Sequence, residues 1–469
     1  MRHDTVNWRE TFSIGANEVA WRPEAEAPRH RYDLATALRI VRRMETSAGR
    51  GAVFEEIKNK NLLYRLVDAL YSGAGIVQPL MLFVYMLKCV LSVGPFDDDE
   101  GEAVAISNFD NERHTVERVA ALVPELRLLR LSIERRHVLG LAQWAAAFRM
   151  LGCARRVWPF LRTLVRKHSF MPSARIASAL AFYMRFAQLF AERPALHAAI
   201  VASNYSPEAV GMAAAAHRAG KRVVYANHAP VPANGAVVPP VLADCALFYG
   251  DAVRQTYERR SRCTAEVAFI GLPSASRPMQ WRDEVTTVGI FLTSGTRADV
   301  LSNLVSAMRA SLPGVHILIR NHPVALLKTD FSDLAGGDAN IEITIGKPLD
   351  DEIAACDLVI CGNSGVAMNV LSGGRPVAYL ADLDRVKFDS NGFVASGLVC
   401  QVSGWSDDIY ARLKRFYFNP KWQSVMRTYD ASYGVDAGEL EQAAAETVKR
   451  HLLPAPAQAE APIPIRLRA

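Results

Sequence analysis

The sequence predicts an α/β protein of two parallel-sheet domains that face each other across a cleft, behind a helical N-terminal extension. Three observations carry this expectation. Short apolar runs such as Ala103–Ser107, 198–202 and 358–360 alternate with helical patterns. Such runs mark parallel strands buried on both faces. The alternation stops at a polar stretch, 274–284, and restarts at Thr287. Polar residues gather where the apolar runs end, and ligands of open α/β sheets bind at the carboxyl ends of strands.

Composition narrows the class. Half of the 469 residues are hydrophobic and 22% are charged, a globular balance with ample core. The net charge of +6 suits an anionic ligand or an anionic membrane surface. No nucleic-acid-binding signature accompanies it, so no nucleic-acid partner is expected. Seven scattered cysteines without a C-x-x-C point to a reducing compartment without a zinc site. The N-terminus lacks the apolar core of a secretory signal. The run at 76–94 is long enough to span a bilayer but carries Pro79 and Lys88, so it reads as a buried or interfacial helix. The expected location is cytoplasmic, with the inner face of the plasma membrane as an alternative station.

Taken in order, residues 1–30 form a polar lead-in, and helices follow at 32–45, 59–71 and 76–93, completing an extension over 1–100. The first α/β domain covers 101–275. An acidic loop at 97–102 leads into a strand at Ala103–Ser107, a helix from Thr115 and a strand within 126–133. Helical sequence then fills 137–192. Strands at 198–202 and Arg222–Ala226 flank a helix that opens with Ser206 as cap and Pro207 at its first position. The 241–249 stretch is a short helix or strand, and 267–270 a strand. The second domain covers 285–452, with strands at 288–292, 316–319, 341–345, 358–360 and 376–379 and a final helix at 439–450. The Pro/Ala-rich tail, 453–469, reads as disordered.

Two turns of the second domain carry the chemistry. Arg320-Asn321-His322-Pro323 follows one strand; Cys361-Gly362-Asn363-Ser364-Gly365 joins another to a helix. A polar turn there aims backbone N–H groups and a helix N-terminus at a phosphate. His322 offers an imidazole, Arg320 a charge, Ser364 a hydroxyl, and Gly365 and Val366 their N–H groups. Ser364 as a simple N-cap is compatible with that role. Ser294, Gly295 and Thr296 either touch the same ligand or cap the next helix. Asp350-Asp351-Glu352 reads as a solvated cap. In the first domain Asp110 and His228 both end strands, and either could serve as general base. No H-E-x-x-H or D-x-D after a strand is present, so neither a metal nor a cofactor is expected. The basic stretch 153–168, with Trp158 and Phe160, fits either an anionic bilayer or a core-packed helix with a solvated basic face.

These residues resemble a known family. His322-Pro323 after a strand, and DLVICGNSGVAMNVLSGGRPVAYL from Asp357 to Leu380, are similar to bacterial GT-B glycosyltransferases of the capsule-polysaccharide, polysialyl and Kdo type, and to the related CDP-glycerol glycerophosphotransferases. Asn227-His228-Ala229-Pro230 and Gly271-x-Pro273 add to the likeness. The resemblance covers 100–450 and is strongest over 288–380. It implies a GT-B-like fold of two Rossmann-like domains. It also implies a nucleotide-sugar donor, with cytidine nucleotides favoured, and a surface-glycan or lipid-linked acceptor. His322, Pro323, Asn363, Ser364 and Gly365 would take the donor phosphate. Two departures stand out: Asn363 occupies a position where the family carries Ser or Thr, and Ala229 follows His228 where a glycine is common. They support a competing reading, a catalytically silent scaffold or regulator in glycan assembly. An epimerase of the same fold would bring a histidine-rich first domain, which is lacking.

Overall fold

A computed structural model describes residues 32–73, 75–95, 101–133, 140–235, 237–273, 276–293, 295–322 and 331–453. The lead-in at 1–30, most of the acidic loop at 97–102, the tail beyond 453, Ser294 and Pro323 lie outside them.

The two expected α/β units are present. In the first, β1 (Gly94–Pro95), β2 (Ala103–Ser107), β3 (Leu128–Ser132), β4 (Ala198–Val201), β5 (Arg222–Ala226), β6 (Cys245–Phe248) and β7 (Glu266–Phe269) form one sheet in the order β1-β3-β2-β4-β5-β6-β7. All pairs are parallel except β1 with β3. Helices cover both faces, so β4, β6 and the first four residues of β2 are apolar in succession rather than alternating. In the second, β8 (Thr287–Phe291), β9 (His316–Arg320), β10 (Ile341–Thr344), β11 (Leu358–Cys361), β12 (Val377–Leu380) and β13 (Cys400–Val402) make a wholly parallel sheet, β10-β9-β8-β11-β12-β13. Counted from β8 this is 3-2-1-4-5-6, the Rossmann order. The architecture is the expected GT-B-like pair of Rossmann-like domains.

The N-terminal helices are built into the first domain. Helices α1 (Leu34–Glu45) and α4 (Val77–Ser92) pack on the long α8 (Phe170–Glu192), which packs on α9 (Pro207–Arg218). Val41, Leu82 and Met86 share one core with Leu180, Phe186 and the strand residues Val104 and Tyr225. The helix predicted at 59–71 is broken. Asn61 ends α2 (Ala48–Lys60) and caps α3 (Leu62–Ser72), its side chain accepting from the N–H groups of Leu63 and Tyr64. The 137–192 region divides into α6 (Leu141–Gly152), α7 (Ala154–Lys167) and α8. The run at 76–94 is α4, with Leu82, Phe83 and Met86 buried, and no helix among the described residues is long and apolar enough to cross a membrane.

Helix α5 (Asp110–Ala121) follows β2, and α10 (Asp251–Arg260) follows β6. The second domain adds α11 (Ala298–Ser311), α12 (Leu349–Ala355), α13 (Val366–Ser372), α14 (Ile409–Tyr417) and α15 (Pro420–Tyr429). The last helix, α16 (Ala437–Leu452), leaves that domain and returns to the first. There Ala444, Val448 and Leu452 are buried with Val224, Leu247 and Ala268.

Candidate functional site

Strand order in the second sheet reverses between β8 and β11, so a crevice opens outside their carboxyl ends. The turns after these strands are the two polar segments around Thr293 and Asn363, and Asp384 ties them together. Its carboxylate accepts from Thr293 Oγ1, from Thr296 Oγ1 at 3.5 Å and from the Asn363 N–H at 2.5 Å. Burial raises the Asp384 pKa, and those hydrogen bonds oppose the rise. A Cβ on Gly362 would overlap the Asp384 carboxylate, so glycine is required there. Nothing in the sequence around Asp384 distinguishes it from other acids near strand ends.

Asn363 is explained by its partners. Its Nδ2 donates to Phe388 O at 3.2 Å, and its Oδ1 accepts from Ser390 Oγ at 2.7 Å and Ser390 N at 3.3 Å. A hydroxyl has no such pair of separated donor and acceptor ends. The loop it holds reaches the first domain: Asn234 donates from Nδ2 to Asp389 O at 2.7 Å and from its backbone to Ser390 O at 2.9 Å. The amide at 363 thus fastens a clasp between the domains.

The other predicted donor-site residues divide. Ser364 Oγ accepts from Val366 N at 3.3 Å, one residue before Gly365, the position that caps α13. Gly365 faces the first domain so closely that a Cβ would stand 2.9 Å from Pro230 Cγ. His322 is half-buried at the end of β9, and burial lowers its pKa. β9 and β11 flank β8, which separates the two turns by roughly 10 Å, about the reach of a diphosphate with its sugar. Arg320 turns away from the crevice: its guanidinium pairs with Glu352 and donates to Lys347 O at 2.9 Å. Glu352, expected in a solvated cap, is buried as that partner. Thr296 is buried within its own turn, donating to Thr293 O at 3.1 Å, and the Gly295 N–H donates to Thr293 Oγ1 at 3.1 Å. Both hold the turn's shape.

The first domain supplies the opposite wall. Its strand order switches between β2 and β4, so the turns at 108–110 and 202–206 flank a second crevice. His228, after β5, is half-buried with Nδ1 against Ala202 O. Burial lowers its pKa, partly offset by that bond. Asp110 opens α5 with its side chain 80% exposed and paired to Arg113. Two residues on, Glu112 is buried, accepting from Asn108 N at 2.8 Å. Burial pushes its carboxyl up to about 7, the Asn108 bond opposing and nearby Glu208 adding. Ser206 Oγ and Glu208 Oε1, at the N-terminus of α9, are buried without a hydrogen-bond partner among the described residues. Sequence reasoning missed Glu112 and Glu208 because an acid in the first helical turn reads as an ordinary dipole partner.

No family model and no curated protein matches the chain. Among solved structures it is similar to a UDP-GlcNAc 2-epimerase from Neisseria meningitidis bound to UDP-GlcNAc (12% identity, 74% of this chain, 99% of that one, TM-score 0.47). It is also similar to the calicheamicin glycosyltransferase CalG4 (11%, 76%, 99%, 0.44) and to a GtfA/B complex (15%, 59%, 61%, 0.35). The chain thus spans 61% of the GtfA/B chain it matches.

Proposed function

We propose that this chain is a glycosyltransferase that moves a sugar from a nucleotide donor, cytidine-linked by the family resemblance, onto a surface-polysaccharide or lipid-linked acceptor. The observation that carries the reading is the contact of Gly365 with Pro230. It sets the Ser364-Gly365 turn against the loop that bears His228. The donor's phosphates would lie along the β9, β8 and β11 turns, with His322, Ser364 and backbone N–H groups meeting the charge that develops on the leaving nucleotide, and no metal required. The acceptor hydroxyl would give its proton to His228. Ser206 Oγ and Glu208 Oε1, buried and without a partner among the described residues, are atoms that an acceptor's hydroxyls would complete. Work on such an acceptor would keep the enzyme at the cytoplasmic side of the membrane, in peripheral contact.

Titration calorimetry with CMP, CDP, UDP and GDP tests this. One nucleotide should bind, and His322→Ala and Ser364→Ala should each weaken it by roughly tenfold, the loss of about one charge-assisted hydrogen bond. A chain that binds none of the four is not a nucleotide-dependent transferase. One observation favours the silent-scaffold reading: Arg320 and Asn363, two of the polar groups nearest the crevice, are spent inside the protein. Binding without turnover of any donor, CDP-glycerol included, would select it.

A further inference from the structure

Three helices of the first domain carry an apolar face that is exposed among the described residues. Helix α3 exposes Leu62, Leu66 and Leu70, every fourth residue and so one side of the helix. Beside it α4 exposes Leu80 and Val84 while burying Leu82, Phe83 and Met86. On its other flank α6 exposes Trp144 and Phe148. All three pack on α8, and α3 and α6 also pack on α4. Monomeric soluble proteins rarely leave this many large apolar side chains exposed on neighbouring helices without an occupant.

The charge beside this face identifies the occupant. Between Leu141 and Lys167 stand Arg149, Arg155, Arg156, Arg162, Arg166 and Lys167, with no Asp or Glu. This one segment carries a charge equal to the +6 of the entire chain. Arg149 is paired with Glu192, while α7 turns Arg155, Arg156, Arg162 and Arg166 to solvent. The apolar side of α7, Val157, Phe160, Leu161 and Leu164, is buried in the core, so α7 contributes charge and not an apolar face. A second copy docked on this surface would bring like charge against like charge. Anionic lipid headgroups are its complement, and Trp144 has the amphipathic ring that favours the headgroup level.

We propose that the outer faces of α3, α4 and α6, flanked by the basic side of α7, seat this protein on an anionic lipid bilayer without crossing it. The inference deepens the peripheral contact in the proposed function and rests on that reading only for the acceptor it would serve. The seat is linked to the cleft through α2: the Arg50 guanidinium lies 5.7 Å from the ring centroid of Tyr205, in the turn after β4, and α3 follows α2 directly. A chain held this way would keep its acceptor wall close to the membrane surface.

Co-sedimentation of the full chain with vesicles of phosphatidylcholine alone, and of phosphatidylcholine with phosphatidylglycerol, tests the proposal. The protein should partition onto the anionic vesicles, less so as salt rises. Leu66→Glu and Phe148→Glu should each cut partitioning by roughly tenfold or more, since a charge replaces a buried apolar contact. The double variant R156E/R162E should remove the preference for anionic lipid. Brominated phosphatidylglycerol should quench fluorescence in the wild type, and Trp144→Phe should lose the share of that quenching that Trp144 carries. All substituted side chains are at least partly exposed, and an unchanged thermal melt verifies that each variant folds. Wild-type protein that stays in the supernatant, or variants that partition as it does, would overturn the proposal. So would a stable dimer that Phe148→Glu dissociates, since a second copy would then own the face. Nucleotide titration without vesicles reads the other hypothesis, so either can fail while the other stands.

Discussion

A carbonyl oxygen can only accept, so Ala202 obliges a neutral His228 to carry its proton on Nδ1 and leaves the Nε2 lone pair available as a base. Burial lowers the His228 pKa below its ordinary value, so the neutral, basic form prevails at pH 7. Turnover should therefore be flat above neutrality and fall about tenfold per unit once pH drops below that lowered pKa. His228→Ala should lose roughly 10²–10⁴ in kcat with nucleotide affinity unchanged; a comparable loss in Asp110→Asn and none in His228→Ala would move the role to the carboxylate. Glu112 gives a second pH effect with its own sign. Its folded pKa, about 7, lies above the usual carboxylate value, so the folded protein holds the extra proton between about 4.5 and 7. Stability from this group is present in acid and is lost as pH rises through that window, by on the order of 3 kcal/mol at most. Glu112→Gln keeps an acceptor for Asn108 N–H and should flatten the fall in Tm between pH 5 and pH 8. Asp110 and His228 were legible as polar residues at strand ends. Glu112 was not, because its distinction from Asp110 is burial, which two acids in one helical turn do not reveal.

At the scale of elements, the parallel strands were legible because both faces are covered and their central residues are therefore mostly apolar. Where that condition lapses, so does the signal. β13 is three residues long with Gln401 exposed between two buried neighbours, and no apolar run marks it. Asn61 broke a helix that periodicity alone would carry through it, since a cap acts through one side chain's hydrogen bonds. The site's central device, Asp384 joining the turns after β8 and β11, is a contact across 91 residues from Thr293 and has no local pattern. It can be tested at both ends. Gly362→Ala puts a methyl group where the Asp384 carboxylate lies. Asp384→Asn puts an amide N–H against hydroxyl and N–H donors that now point at an oxygen. Each should cost about 1–3 kcal/mol, the penalty of a buried hydrogen-bonding group left unsatisfied. Each should also weaken nucleotide binding more than Asp110→Asn does. Equal Tm and equal affinity in both variants would remove Asp384 from the account of the crevice.

At the scale of the molecule, the two domains exchange structure as well as facing each other. Asn363 in the second domain holds the loop at 388–390 that clasps Asn234 of the first. Helix α16 completes the exchange, packing on β5, β6 and β7. Its apolar residues close the first sheet's second face, His451 Nε2 hydrogen-bonds Glu266 at 2.9 Å, and Lys449 pairs with Glu125 at 3.0 Å. The sequence announced a helix at 439–450 but not its destination. An amphipathic pattern specifies that one side is buried and not against what. Because the buried side belongs to the first domain, damage to it should appear there. Val448→Asp places a carboxylate among Val224, Leu247 and Ala268 and should cost about 3–5 kcal/mol, an unpaired charge in an apolar core. The second domain's core, from Val288 to Met426 with Tyr249 and Leu272 of the first domain added, contains no α16 residue. Heating Val448→Asp should therefore give an early transition from the first domain and a later one that nucleotide still raises. A single transition, shifted as a whole, would mean that the clasp and α16 bind the two domains into one cooperative unit.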